Sequence, residues 1–130
     1  MKKVIIALLA AALFASCQKE DENGALGGFW KILEIETPDG SIENTTNESR
    51  FWSIQLNLLE LPPTENSKVY HYCRFSHVGD SLFVQTINAN SHLQEFGIYD
   101  NKNERYKVEQ LSDRRMVLRS KYAKIRFRKF

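Results

Sequence analysis

Most of this chain is divided into short runs in which apolar and polar side chains alternate, and that period of two restricts its folds more than any other feature. In the clearest run Trp52, Ile54, Leu56 and Leu58 point one way while Ser53, Gln55 and Asn57 point the other, as on a half-buried strand. An earlier run places Trp30, Ile32 and then Glu34 on one face and Phe29, Leu33 and Ile35 on the other. Thr37-Pro38-Asp39-Gly40 ends it with turn chemistry, and Ser41 to Ser49 reads as a polar loop. Leu61-Pro62-Pro63-Thr64 stops the next run, because proline cannot donate to a ladder. Further strands are expected at Val69 to Val78, Ser81 to Ile87, His92 to Tyr99, Arg105 to Leu111, Arg115 to Ser120 and Lys124 to Phe130. With Phe29 to Ile35 and Trp52 to Leu58 these make eight. Strands about ten residues apart, with no helical periodicity, predict an all-β domain. Neighbours joined by short turns close most simply as an eight-stranded antiparallel up-and-down barrel, which also removes exposed edges.

The N-terminus follows a different pattern. Met1-Lys2-Lys3 is a basic opening and Val4 to Phe14 is unbroken apolar sequence, followed by Ala15, Ser16 and Cys17. Eleven apolar residues reach about half of a ~30 Å hydrocarbon core, so a secretory signal is expected rather than a spanning helix. Phe14-Ala15-Ser16-Cys17 resembles a lipoprotein processing site. The resemblance implies removal of residues 1–16, lipidation of Cys17, a tether over 17–26 and a domain over 27–130. Gln18-Lys19-Glu20-Asp21-Glu22 resembles the acidic export tag of surface lipoproteins in the Bacteroidetes, and it also reads as a plain solvated spacer. The expected address is a bacterial outer membrane, with the face left open.

Composition narrows the function classes. The eighteen basic side chains include Lys2 and Lys3, so removal of the signal leaves sixteen against sixteen acidic ones. That balance gives nucleic acid nothing to attract it. Once Cys17 is acylated, Cys73 is the one remaining thiol, so stability must come from an apolar core.

Gly28-Phe29-Trp30 resembles the Gly-x-Trp signature that opens lipocalins, and Tyr106 to Leu118 with Phe127 to Phe130 is similar to the closing strands of lipocalin-like lipoproteins from gut Bacteroidetes. The resemblance implies a calycin-type barrel in which a basic residue from the last strand covers Trp30. Arg126 and Arg128 are the expected partners of Gly28 and Trp30 in that packing.

A barrel of eight strands holds either side chains alone or one small ligand. Trp52, Ile54, Leu56 and Leu58 are the candidate lining for an apolar or amphiphilic ligand. In the alternative, the interior is filled and the loops Ser41 to Ser49 and Leu61 to Ser67 bind a protein or glycan. On the third strand His71, Cys73, Phe75 and His77 share a face, but His71 and His77 lie roughly 20 Å apart at ~3.3 Å per residue. No metal site is expected from them. There is no Gly-x-Ser-x-Gly elbow, phosphate-cradling glycine loop or His-Glu-x-x-His helix, so neither enzyme activity nor a cofactor is expected. From Arg114 onward the sequence carries eight basic residues and no acidic one. That bias fits an anionic glycan or lipid head group, and it equally fits an exposed strand face. Asp80-Ser81-Leu82 resembles the O-glycosylation acceptor motif of Bacteroides and marks Ser81 as a candidate site.

Overall fold

The structure, a computed structural model, describes residues 23–87, 93–100 and 102–130. The strands are β1 (Gly28–Glu36), β2 (Ile42–Asn44), β3 (Phe51–Gln55), β4 (Leu58–Leu61), β5 (His71–Val78), β6 (Ser81–Thr86), β7 (Asn103–Leu111), β8 (Arg115–Arg119) and β9 (Lys124–Lys129). Every pairing is antiparallel, in the order β1-β3-β4-β5-β6-β7-β8-β9, and β9 returns to β1 to close an eight-stranded up-and-down barrel. The short β2, inside the expected polar loop, adds to the far end of β1 through Glu34 to Glu36.

Strand number agrees with the sequence reading through two compensating differences. The run Trp52 to Leu58 is not one strand: β3 turns back at Leu56 and Asn57, with Gln55 paired to Leu58. Leu56 has φ 51° and is exposed, a strained setting for a non-glycine residue. The reversal resets the side-chain parity, so Leu59 and Leu61 take the inward positions and Leu56 and Leu58 face solvent. The segment expected as a strand from His92 to Tyr99 instead contains a short 3-10 turn, Gln94–Phe96, followed by Gly97 at φ +79°. His92 itself lies outside the described residues.

Two bulges shift the faces as well. One between Ile32 and Glu34 brings Ile35 inward with Trp30 and Ile32, where strict alternation had placed Glu34. Another between Val108 and Gln110 turns Glu109 out toward Arg119 and Lys124. A 3-10 turn over Gly24–Leu26 closes one end of the barrel, with Leu26 fully buried and its carbonyl accepting the Trp30 indole N–H at 2.8 Å. This is the basal end, ringed by the β3–β4, β5–β6 and β7–β8 turns; the loops between β1 and β3, β4 and β5, and β6 and β7 gather at the opposite end.

Candidate functional site: the plugged mouth of the barrel

A ligand would enter such a barrel opposite the basal turn, and Leu93 to Ile98 fills that mouth. Leu93, Phe96 and Ile98 are each 1% exposed and pack into the same cluster as the wall residues. Three consecutive carbonyls of the plug accept hydrogen bonds from buried side chains of the wall. Arg50 Nη1 donates to Glu95 O at 3.1 Å, Trp52 Nε1 to Phe96 O at 2.9 Å, and Tyr106 Oη to Gly97 O at 2.7 Å. A turn that forms no ladder needs such donors, because a buried carbonyl without a partner costs about 1–3 kcal/mol. Glycine at position 97 is required twice over: its φ is left-handed, and a Cβ there would lie 2.3 Å from Ile125 Cδ1.

Charged groups brace this end. Arg50, 6% exposed, pairs with Glu43 at 2.5 Å and Glu48 at 3.0 Å, tying β2 and its loop to the mouth. The Glu65 carboxylate accepts the Ser49 backbone N–H at 3.0 Å, and Glu95 accepts from Thr64 Oγ1 at 2.8 Å. Glu104 is 3% exposed and receives the Tyr99 backbone N–H at 3.2 Å. Burial raises its carboxyl pKa above the usual value, against the opposing pull of Tyr106 and the Tyr99 amide. Tyr106 is raised well above an ordinary phenol by burial and then by Glu104. The Tyr106 hydroxyl contacts both Glu104 Oε2 and Gly97 O but carries one proton. In the ionised state Glu104 accepts from the phenol; on protonation it would donate to the phenol oxygen and free the phenol proton for Gly97 O.

Of the expected lining residues, Trp52 and Ile54 do point into the barrel, at 2% exposure or less, while Leu56 and Leu58 lie outside it. Among the described residues the interior is packed with side chains. A void would leave its lining atoms accessible, yet twenty apolar residues from Leu26 to Phe127 are 2% exposed or less. Trp52 packs edge-on against Tyr106 and Phe127 at 5.6 and 5.0 Å between centroids. Among the described residues, the clefts that stand out open on the outside, such as one of about 400 Å³ between the β1 end and the β8–β9 turn, lined by Glu36, Thr37 and Lys121.

The signature packing is present with a different basic residue. Lys129, not Arg126 or Arg128, places its Nζ 4.9 Å over the Trp30 ring and donates to Ala25 O at 3.1 Å. Arg126 pairs outside the wall with Glu34 at 3.2 Å and Glu36 at 3.5 Å, and Arg128 is exposed on the same outer face. Strand parity carried the signal: Lys129 shares its parity with the inward Ile125 and Phe127, whereas Arg126 and Arg128 do not. Gly28 sits against the Lys129 side chain at φ +129°.

The remaining candidates separate. Cys73 is fully buried, and burial pushes its thiol up to about 11. His71 is half-buried near the Phe96 ring and His77 is exposed; no group of three His, Cys, Asp or Glu that could hold a metal occurs among the described residues. Ser81 is 9% exposed and its hydroxyl accepts from Arg105 Nη2 at 3.1 Å. Cys17 and the acidic segment after it lie outside the described residues. Arg50, Glu104 and Tyr106 carry no local sequence signal, because their role depends on where a distant turn inserts.

A closed eight-stranded meander with a basal 3-10 turn, a buried Gly-x-Trp tryptophan and a basic residue over its ring defines a calycin-type barrel. The family model for the lipocalin-like domain matches residues 12–130, and this chain belongs to that family. A lipocalin-like protein from Bacteroides uniformis is similar in fold, with a TM-score of 0.69 and 22% identity over 82% of this chain and 99% of that one. An uncharacterized protein from Bacteroides eggerthii gives a TM-score of 0.63 at 22% identity, over 80% of this chain and 98% of the other. No curated protein matches the sequence.

Proposed function

We propose that this chain is an outer-membrane lipoprotein, acylated on Cys17 after removal of residues 1–16, whose solid barrel is a non-enzymatic binding module. It presents the plugged end, with the loops Ser41 to Ser49 and Leu61 to Ser67, to a glycan or protein partner. The observation that carries this reading is the filled interior: a core in which Trp30, Trp52, Phe96, Tyr106 and Phe127 are sealed has no space for a guest. The same end carries unpaired apolar surface for a partner, with Ile42 57%, Val69 61% and Tyr70 50% exposed.

A second reading, a small apolar ligand inside the barrel, is favoured by one feature of the plug. Its carbonyls are held by side chains and not by ladder bonds, so it could leave without unzipping a strand. Titration with a fluorescent fatty acid decides between them. The solid-barrel reading expects no saturable binding and no displacement; stoichiometric uptake that quenches tryptophan emission transfers the function to the interior. Mass spectrometry of the membrane fraction tests the anchor, which an unmodified Cys17 on the mature protein would refute.

A further inference from the structure

The outer wall near the basal end carries a row of cations that the fold itself does not use. Arg115 pairs across the ladder with Arg128, and Arg128 pairs with Lys31. Like charges placed directly opposite on a sheet are destabilising. Among the described residues, none of these three, nor Arg114, has a carboxylate partner. Arg114, Arg115, Arg128 and Lys129 instead line, with Asp113 and Phe130, an open cleft of about 660 Å³.

Aromatic side chains continue the row. Lys31 pairs with Phe51, whose ring stacks on Phe29 at 4.4 Å, and Phe130 meets both edge-on at 6.1 and 5.6 Å. Phe130 is 73% exposed, and Leu56 on the neighbouring basal turn is 66% exposed. Cations beside exposed aromatic rings suit the boundary between phosphate head groups and acyl chains.

The course of the chain selects this partner over others. The described residues begin at Asn23, which donates to Leu56 O on the same basal turn, and Lys129 holds Ala25. Six residue steps separate Cys17 from Asn23, at most about 22 Å when fully extended. An acyl chain on Cys17 therefore holds the basal end within about 22 Å of the bilayer.

We infer that the basal face formed by Lys31, Arg114, Arg115, Arg128, Phe51 and Phe130 rests on a membrane surface rich in anionic phospholipid, pointing the plugged end away from it. The inference rests on the lipid-anchor reading for its geometry, but its test does not need the lipid. All core residues lie between Leu26 and Phe127, so a chain from residue 17 onward carrying Cys17→Ser retains the whole fold. That protein is floated with vesicles of phosphatidylcholine alone or mixed with phosphatidylglycerol. Binding is expected on the mixed vesicles, falling as salt is raised, and each of Arg115→Gln and Arg128→Gln should lower partitioning about five-fold. Phe130→Ser should weaken it further, whereas Arg119→Gln and Lys121→Gln at the other end should leave it unchanged. Equal binding to both vesicle types, or equal losses from both ends, would overturn the inference. So would capture by a soluble polyanion with no vesicle binding, which would point to a glycan. Acylated Cys17 combined with no vesicle preference refutes the docking face alone; unmodified Cys17 combined with phosphatidylglycerol binding refutes the anchor alone.

Discussion

The two ends of this barrel manage their polar groups in opposite ways. At the plugged end the charged groups find partners through most of their atoms: Arg50 joins Glu43, Glu48 and the Glu95 carbonyl and leaves only its buried Nε without one, and Glu104 and Tyr106 hold the plug from below. At the basal end Arg114, Arg115, Arg128 and Lys31 stand together, with Asp113 on the same cleft but, among the described residues, no ion pair to any of the four. Polar groups that are mutually satisfied and buried fix one conformation, whereas an uncompensated exposed row costs stability and invites an outside partner. The difference assigns stability to one end and attachment to the other.

Gly97 is where that contrast breaks most easily. Gly97→Ala combines a left-handed backbone with a methyl driven into Ile125, and we expect a loss of about 3 kcal/mol or more in chemical denaturation. Gly40→Ala is the reference: φ is +89° but nothing lies within 4 Å, so about 1–2 kcal/mol should be lost. Equal losses would mean that the plug is not tightly seated. Tyr106→Phe strands the Gly97 carbonyl and the Glu104 carboxyl, and should cost about 1–3 kcal/mol by the same measurement.

Glu104 gives the mouth a pH signature. A carboxyl whose pKa is raised by folding binds its proton more tightly in the folded chain. Its contribution is therefore complete below the unfolded value, near 4.5, and is lost as pH rises through the higher folded value. Asp39, Glu65 and Asp100 are lowered mainly by hydrogen bonds, so they act with the opposite sign and at lower pH. Melting temperature should thus decline from about pH 4.5 upward in the native protein relative to Glu104→Gln, which carries no titrating group there. Parallel profiles would remove the protonated Glu104 from the account of the plug.

What the sequence made legible follows the same division. The barrel wall was readable because Lys124 to Lys129 and Arg115 to Arg119 alternate faithfully, and closure followed from short turns. The interruptions were not. The bulge after Ile32 and the left-handed Leu56 shift parity by one residue, and nothing in the local residue types demands either. The plug left a faint mark: Leu93, Phe96 and Ile98 are apolar, but Gln94 and Glu95 stand together between them, which strand alternation does not allow. Its seat on Arg50, Trp52 and Tyr106 depends on separations of 45, 44 and 9 residues, beyond the reach of local pattern.

Smaller effects sharpen the basal side. Lys129→Met keeps the aliphatic stem over Trp30 and removes the charge, so only the cation–ring attraction and the bond to Ala25 are lost, about 1 kcal/mol in denaturant melts. A loss near zero would mean that Lys129 acts by packing alone.

The smallest expected change is the most informative. Neutralising Arg115 and Arg128 together removes repulsion between facing cations and breaks no ion pair, so the doubly substituted Arg115→Gln, Arg128→Gln protein should match or slightly exceed native stability, by up to about 0.5 kcal/mol. Arg126→Gln, two residues away on the same face of the strand, breaks part-exposed contacts to Glu34 and Glu36 and should lose about 0–1 kcal/mol. Opposite signs at neighbouring positions of one strand would separate a cation kept for the fold from cations kept for something outside it. If the double variant instead unfolds more easily than native protein, the row contributes to the wall, and the contrast between the two ends loses its physical basis.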